Sequence, residues 1–457
     1  MRARRPPESL RREPQRAVLA ALEQPGADWE QSLEELALLV DSAGGQTVGI
    51  LTQRRETPDP ATFLGKGKAE EVRDTAAAQR ADLVVVDADL RPSQQRNLEH
   101  IVRLPVLDRS AIILDIFAQR ARSNEGKIQV ELAQYMYLLP RLTGRGTMLS
   151  RLGGGMGAAG GAGAGIGARG PGETKLEMDR RRIRRHITSL HKQVRRIAQH
   201  RRQQRRSRSE SLLPLGAIVG YTNAGKSTIL NALSGSDIYA DNRLFATLDP
   251  TVRRVDCDGM TVLLTDTVGF IRNLPHQLIA AFHATLEEVV EAGFLLHVVD
   301  GAGGSIEEQH AAVLRVLGDL GAVEKDRLMV FNKADLVADR VMLENLAFRY
   351  APAVVTSAKT GEGLDDLRAQ VAALARRQML EVKALVPYDR GDLVSLAHDH
   401  GEVQVVDHRD DGIFLSARLP PDIAARLEPF VVEAEAPPED TADEPAADEA
   451  DAEWDEG

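Results

Sequence analysis

One segment constrains the fold of this chain more than any other: GYTNAGKS, from Gly220 to Ser227. It follows the apolar run LGAIV and precedes STILNALS, so the sequence predicts a strand, a glycine-rich turn and then a helix. Such a turn points backbone amides and a helix N-terminus at a phosphate group. The segment therefore predicts a nucleotide-binding, doubly wound α/β domain, which we place at residues 211–378.

Three further motifs follow in order: DTVG (266–269), NKAD (332–335) and Ser-Ala-Lys (357–359). Each comes after an apolar run that is typical of a buried strand. Asp266 is placed to reach magnesium through water, and the Gly269 amide to sense a terminal phosphate. Asp335 can accept hydrogen bonds from N1–H and the exocyclic amine of guanine, and adenine offers neither donor. These motifs predict that the chain binds GTP and GDP with Mg²⁺ and hydrolyses GTP.

A loop between the first two motifs, DNRLFATLDPT, is predicted to respond to the γ-phosphate. Thr247 is the predicted magnesium-binding threonine of this loop, with Thr251 as the alternative. Lys226, Thr247 and Gly269 are the predicted catalytic residues, and Ser227 and Thr247 the predicted metal ligands. The predicted GTP-binding residues are Gly220, Tyr221, Thr222, Asn223, Ala224, Gly225, Lys226, Ser227, Phe245, Ala246, Thr247, Leu248, Asp249, Asp266, Thr267, Val268, Gly269, Asn332, Lys333, Ala334, Asp335, Ser357, Ala358 and Lys359.

Phe270 follows DTVG at a position where many GTPases carry a glutamine that orients the attacking water. A phenylalanine cannot orient water, so we expect slow hydrolysis unless a partner stimulates it, by roughly 10³ to 10⁵ in related switches. His276 and His283 lie just downstream, and we favour surface positions without a catalytic role for both.

The remaining chain is divided by composition and apolar patterning. Residues 30–120 predict a small α/β subdomain, with LALLV, TVGIL, DLVVVDA and PVLD as strands and helices near 69–80 and 93–101. Within it, GKGK (65–68) favours a strand-to-helix turn over a second nucleotide site, because no Ser or Thr follows. We predict a disordered basic extension at 1–29, a small C-terminal domain at 379–432, and a disordered tail at 433–457 with twelve acidic and no basic residues.

Two long helices are predicted within residues 121–210, over 124–142 and 174–206, because apolar residues recur at spacings of four and three in both. They form a predicted antiparallel hairpin whose loop, 143–172, is glycine-rich. Residues 174–210 hold fourteen Lys or Arg and three acids, which favours contact with RNA phosphates over a merely solvated face. The predicted RNA contacts are Arg169, Arg181, Arg182, Arg184 and Arg185, and the arginines near the loop, Arg141, Arg145 and Arg151, are further candidates.

No stretch of 18 apolar residues occurs, the single cysteine is Cys257, and the basic N-terminus lacks the apolar core of a secretory signal. We therefore expect a cytoplasmic protein with no integral membrane association, monomeric when free and without a DNA partner. An organellar transit peptide is the less favoured alternative for the N-terminus. The predicted fold class is α/β: a P-loop GTPase domain preceded by a small α/β subdomain and a long antiparallel helical hairpin, and followed by a small C-terminal domain.

The chain resembles the HflX family of ribosome-associated GTPases over nearly its whole length, apart from the termini. The stretches that carry the resemblance include FLGKGKAEEV, DRSAIILDIFAQRARSNEGKIQVELAQYMYLLPRL, GIGARGPGETKLEMDRRRIRRHI, FATLDPT and DTVGFIRNLPHQLIAAFHATLEE. The resemblance implies binding to the large ribosomal subunit and its RNA, with GTP-linked splitting of stalled or idle ribosomes. It also implies that the hairpin loop reaches toward the peptidyl-transferase region. Asn223 matches an asparagine that binds potassium in some related GTPases, which makes potassium stimulation a hypothesis.

Two features depart from the family pattern. The glycine loop is expanded, and Lys175 stands where glutamine is usual in GPGET-Q. Two other functions stay open on the sequence alone. One is a GTP-regulated RNA-binding assembly scaffold in which hydrolysis is incidental, and the other is an ATP-driven RNA remodeller that uses the N-terminal subdomain.

Overall fold

The computed structural model describes residues 13–26, 28–142, 175–208, 213–235, 244–245, 247–248, 250–272, 286–303 and 306–432. Within the long helix at 175–208, side chains are described for residues 177–197 and 199. The chain divides into two compact units, Met1–Arg377 and Gln378–Gly457. In the part of the chain that is described, no helix is long and apolar enough to cross a membrane.

The first unit begins with a four-stranded parallel sheet in the order β2-β1-β3-β4. Its strands are β1 (Gln15–Glu23), β2 (Gly45–Arg54), β3 (Leu83–Val86) and β4 (Val106–Asp108). Its helices are α1 (Trp29–Ser42), α2 (Lys66–Ala78), α3 (Pro92–Val102) and α4 (Arg109–Arg120). Successive residues of β1 point into different hydrophobic cores. Leu19 belongs to the core against α1 and α4, and Val18 belongs to the core against α2 and α3. Helices therefore cover both faces of the sheet, as parallel sheets require.

The structure corrects two predictions in this region. The extension predicted to be disordered over 1–29 is wrong for Gln15–Glu23, which form β1 beside two neighbouring strands. The basic, proline-containing start of the chain obscured the apolar run AVLAAL. The run LALLV, predicted as a strand, lies in α1, whose buried Leu33, Leu36 and Leu39 share one helical face. The GKGK segment forms the start of α2, where Lys68 pairs with Glu71 at 2.7 Å.

The middle region is helical, with α5 (Asn124–Leu138), a 3-10 turn (Leu139–Arg141) and α6 (Lys175–Arg208). The two helices pack antiparallel. Glu131 contacts His186 at 3.0 Å, whereas Leu142, later in the chain, accepts a hydrogen bond from Arg180, which precedes His186. Leu138, Leu142 and Ile183 form a small buried cluster between them. The predicted glycine-rich loop, 143–172, lies outside the described residues.

A six-stranded sheet completes the first unit, in the order β10-β9-β8-β5-β7-β6, with β6 antiparallel to β7 and the other neighbours parallel. Its strands are β5 (Leu215–Gly220), β6 (Thr251–Cys257), β7 (Met260–Asp266), β8 (Phe294–Asp300), β9 (Asp326–Asn332) and β10 (Ala353–Val355). Its helices are α7 (Lys226–Ser234), α8 (Ile306–Asp319), α9 (Arg340–Arg349) and α10 (Leu364–Arg377), and residues 286–291 are also helical. This architecture confirms the predicted α/β fold class.

The second unit contains an antiparallel sheet in the order β11-β13-β12. Its elements are β11 (Leu380–Val386), α11 (Gly391–His400), β12 (Glu402–Arg409), β13 (Gly412–Leu419) and α12 (Pro421–Leu427). The predicted acidic tail, 433–457, lies outside the described residues.

Candidate active site

A cavity of about 500 Å³ opens where the parallel strands β5 and β9 end and α7 begins. Its size falls in the usual range for small-ligand sites. Every predicted motif contributes to its lining, including Lys226, Thr247, Gly269, Asp335 and Lys359. The sequence separates these residues by more than 100 positions, and the sheet brings them to one edge because the carboxyl ends of parallel strands meet there.

Glycines shape the turn between β5 and α7 because the backbone passes close to its neighbours. A Cβ on Gly220 would lie 2.2 Å from the Val298 carbonyl oxygen, and one on Gly225 would lie 2.2 Å from Nδ2 of Asn332. Gly225 also has φ of +92°, which strains any other residue. The turn curls around Lys226, whose buried Nζ donates to the carbonyl oxygens of Gly220 (3.2 Å) and Tyr221 (2.8 Å).

Burial lowers the pKa of Lys226 to about 8, although the Asp266 carboxylate opposes this shift. Burial also raises the pKa of Asp266, and the Lys226 ammonium and the Ser227 hydroxyl oppose that shift. An ammonium without water around it is a strong binding group for a phosphate, since a low local dielectric strengthens the attraction.

Three oxygen-bearing side chains meet below Lys226. Ser227 Oγ donates to Asp266 Oδ2 at 2.6 Å and lies 2.8 Å from Thr247 Oγ1. Asp266 Oδ1 is buried and makes no hydrogen bond with a described residue. Hydroxyl and carboxylate oxygens are the ligands that Mg²⁺ prefers, so this group fits a magnesium ion. The rival threonine, Thr251, is exposed at the start of β6.

The NKAD and Ser-Ala-Lys segments are tied to the phosphate-binding turn and to each other. Asn332 Nδ2 donates to the Ala224 carbonyl at 2.9 Å, and its Oδ1 accepts from the Ala358 amide at 3.0 Å. Ser357 Oγ donates to Asp335 Oδ1 at 2.7 Å, which fixes the carboxylate at the wall of the cavity. Asn332 therefore acts as a brace that sets the distance between the two halves of the site.

Some predicted site residues point elsewhere. The side chains of Tyr221, Leu248 and Val268 pack into the hydrophobic core beneath the N-terminal sheet rather than into the cavity. Ala246, Asp249, His276 and His283 lie outside the described residues. Phe270 is buried in the core beside α8 and exchanges backbone hydrogen bonds with Gly220 and Thr222.

A buried polar chain links the phosphate-binding turn to the N-terminal subdomain, and the sequence reading missed it. The Tyr221 hydroxyl donates to Glu35 Oε1 at 2.6 Å and accepts from the Arg272 amide at 2.7 Å. The other Glu35 oxygen pairs with Arg109, which also pairs with Asp87 at 2.7 Å. Burial raises the pKa of the Tyr221 phenol, so it stays a donor. The only sign of this contact in the sequence is Tyr221 itself, a large side chain with a hydroxyl group inside a glycine-rich turn.

The arginines of the middle region divide into two groups. Arg181, Arg182, Arg184 and Arg185 are all exposed on α6. Arg141, by contrast, is wrongly predicted as a phosphate contact of the loop. It lies over the Tyr137 ring at 3.6 Å and pairs with the buried Asp108 at 2.8 Å, so its charge is already matched. Arg145, Arg151 and Arg169 lie outside the described residues.

Three protein-family models match the chain in succession. Their descriptions are GTP-binding GTPase N-terminal (residues 30–118), GTP-binding GTPase Middle Region (residues 120–208) and 50S ribosome-binding GTPase (residues 216–333). The first boundary between these matches falls at the C-terminal end of α4, and the second falls between the end of α6 and the start of β5.

Curated relatives match nearly end to end. A protein of Caldanaerobacter subterraneus named GTPase HflX is 44% identical over 93% of this chain and 96% of its own length. The GTPase HflX of Escherichia coli is 41% identical over 85% of this chain and 90% of its own length. Among solved structures, a GTP-binding protein of Sulfolobus solfataricus in complex with GDP is 22% identical, with a TM-score of 0.42, over 79% of this chain and 99% of its own.

Proposed function

Because the chain belongs to the HflX family of GTPases, we propose that it couples GTP binding and hydrolysis to the dissociation of stalled or idle ribosomes through the large subunit. Family membership makes the chain a GTP hydrolase. The observation that carries the nucleotide part of the proposal is the convergence, in one cavity, of the buried Lys226 ammonium, two hydroxyls and a carboxylate held by Ser357. These groups match the phosphates, the metal and the base of magnesium-bound GTP.

The geometry supports the following roles for individual residues. Lys226 exchanges its two carbonyl partners for the β- and γ-phosphates, and the amides of the turn and the N-terminus of α7 surround the phosphate oxygens. Ser227, Thr247 and Asp266 are the residues that would hold Mg²⁺, the last of them through water, and the ion would supply positive charge to the phosphates. The Gly269 amide contacts the γ-phosphate. Asp335 accepts from guanine, and potassium binding at Asn223 stays a prediction.

We expect the affinity for GTP to fall above pH 8. In the free protein the pKa of Lys226 is lowered to about 8, whereas bound phosphates favour its charged form and raise that pKa. Binding therefore takes up a proton as the pH rises through 8, and affinity falls by about twofold between pH 7 and 8 and by up to about tenfold per pH unit above that. Calorimetric titrations with GDP in buffers of different ionisation enthalpy measure this uptake. No proton uptake at pH 9 would contradict it.

Two observations support the ribosomal part of the proposal. The family model that matches the P-loop domain describes a 50S ribosome-binding GTPase. The exposed arginines of α6 offer a row of cations to a polyanion, and they lie on a helix whose opposite face is packed against α5. An exposed arginine row of this kind binds phosphates without reading sequence, as contact with ribosomal RNA requires.

Replacing Arg181, Arg182, Arg184 and Arg185 by glutamine is expected to weaken binding to the large subunit by at least about tenfold at physiological salt. Each phosphate contact releases counterions from the RNA on binding, so losing four contacts makes the slope of log affinity against log salt shallower by about three. The measurement is a salt titration of subunit binding with a GTP analogue. A matched control replaces four exposed arginines outside α6, namely Arg96, Arg103, Arg254 and Arg377. Equal slopes for both variants would show that the face is only solvated.

Ribosome splitting is tested by sedimentation of 70S particles with the protein and GTP, GDP or a non-hydrolysable analogue. We expect free subunits with GTP and with the analogue, and intact particles with GDP. An assembly scaffold predicts binding without splitting, and GTP turnover that isolated large subunits leave unchanged. Strong acceleration of multiple-turnover hydrolysis by large subunits, together with splitting, would exclude the scaffold.

A further inference from the structure

Among the residues that the structure describes, the position that commonly supplies the side chain for placing the attacking water holds a phenylalanine. Phe270, at the position where many GTPases carry glutamine, is 1% exposed and packs into the core with Leu286 and Val289. Its backbone is also engaged, since its amide donates to the Gly220 carbonyl at 3.0 Å and its carbonyl accepts from the Thr222 amide at 2.7 Å. A rotation that brought position 270 into the cavity would break both bonds.

The partner of Phe270 in that pairing, Thr222, has a side-chain hydroxyl with no assigned use. Thr222 lines the cavity yet is only 6% exposed, and its Oγ1 makes no hydrogen bond with any described residue. A buried hydroxyl without a partner is energetically unfavourable, so proteins rarely keep one without a ligand or water to satisfy it. The hydroxyls of two other threonines that line this cavity have partners: that of Thr247 contacts Ser227, and that of Thr267 donates to the Ile218 carbonyl.

Thr222 lies at the part of the cavity assigned to the terminal phosphate. A Cβ placed on Gly269 would lie 2.9 Å from Thr222 Cγ2 and 3.0 Å from Lys226 Nζ. The threonine, the ammonium and the Gly269 backbone therefore surround one small volume. A group bound by the ammonium and the Gly269 amide has the Thr222 side chain as a direct neighbour.

We propose that the Thr222 hydroxyl positions the water that attacks GTP. Its oxygen accepts a hydrogen bond from the water, and its proton is donated to a γ-phosphate oxygen. The water oxygen forms a bond to the γ-phosphorus while the bond from that phosphorus to the β–γ bridging oxygen breaks. The electron pair of the broken bond leaves with GDP, and the water proton passes to the released phosphate. Thr222 thus supplies on the phosphate-binding turn what Phe270 cannot supply after DTVG.

The test compares Thr222→Val, which removes the hydroxyl at nearly constant volume, with Thr222→Ser, which keeps it. With the full-length protein, single-turnover hydrolysis at saturating GTP is expected to slow by about 10²-fold in Thr222→Val, the lower end of the range for a group that acts directly on the reacting water. Thr222→Ser is expected to stay within about threefold of the original rate. Affinity for GDP and for a non-hydrolysable GTP analogue should change little in either variant.

Thr265→Val is the matched control, because Thr265 is fully buried on β7 and its Oγ1 also makes no hydrogen bond with a described residue. It lies outside the cavity lining, so its loss should leave hydrolysis unchanged. Hydrolysis at the original rate in Thr222→Val overturns the proposal. It is overturned equally if Thr222→Ser is as slow as Thr222→Val, or if both lose affinity for the analogue in step with rate, since Thr222 would then act in packing or binding.

Discussion

Asp335→Asn is expected to turn a guanine site into a xanthine site. The carboxylate accepts from N1–H and the exocyclic amine of guanine, and an asparagine amide places a donor against that amine instead. Xanthine carries a carbonyl at the same position, which the amide can bind. Asp335 is exposed in the free protein, and once a bound base covers it a mismatched pair costs a few kcal/mol. GTP affinity should therefore fall by at least about 10²-fold while xanthosine triphosphate gains by a similar factor. Competition of both triphosphates against a labelled nucleotide measures the change.

The control for this exchange is Asp339→Asn, four residues downstream. Asp339 loses the same charge, but it caps α9 by accepting from the Met342 amide and does not line the cavity. Its variant should keep the preference for GTP. Unchanged GTP affinity in Asp335→Asn would remove Asp335 from base recognition. The contact with Ser357 makes that outcome informative, because it shows that the carboxylate is already held in place before a base arrives.

The nucleotide motifs could be predicted from sequence because each one is local. Gly220 and Gly225 lie in one turn, where Gly225 has φ of +92°, and DTVG and NKAD each begin at the end of a buried strand. The motifs are then expected to lie close together, since each follows a strand and the carboxyl ends of parallel strands lie at one edge of the sheet. The α/β class follows from the alternation of apolar runs with helical stretches, and the pairing of α5 with α6 follows from the apolar periodicity that the two helices share.

The links between domains could not be predicted, because they depend on contacts between residues far apart in sequence. Tyr221 and Glu35 are 186 positions apart. Glu35 also sits in α1 next to LALLV, a run short enough to suit a strand or a buried helix. Phe245, predicted as a nucleotide contact, packs edge-to-face on Phe117 of α4 with ring centroids 4.6 Å apart. Helix α1 therefore contacts the phosphate-binding turn, and α4 contacts the loop that carries Phe245.

Contacts of α1 and α4 explain how the fold joins the nucleotide site to the helical hairpin. Arg109 contacts Glu35 below the phosphate-binding turn, and its neighbour Asp108 contacts Arg141 and Tyr137 at the base of the hairpin. Two adjacent residues, the last of β4 and the first of α4, thus contact the two regions. Removing one charge from the buried ion pairs at this junction should lower the free energy of unfolding more than removing a charge from an exposed pair.

Arg109→Met is expected to destabilise the N-terminal core by about 3–5 kcal/mol. The arginine side chain is 2% exposed, and its loss leaves Glu35 and Asp87 buried without a cation. Breaking a buried pair by removing one partner is costly because the remaining charge is not solvated. Trp29 packs at the edge of this core and Trp454 is the other tryptophan of the chain. Denaturant unfolding followed by tryptophan fluorescence in a Trp454→Phe background therefore reports on the core itself.

Two controls separate charge from packing in that measurement. Arg73→Met removes an arginine whose pairing with Asp74 is largely exposed, and it should change stability by less than about 0.5 kcal/mol. Adding Glu35→Gln and Asp87→Asn to Arg109→Met removes the stranded charges, so this triple variant should recover part of the loss. A loss below about 1 kcal/mol in the single variant, or a triple variant that is less stable than the single one, would show that Arg109 contributes through packing alone.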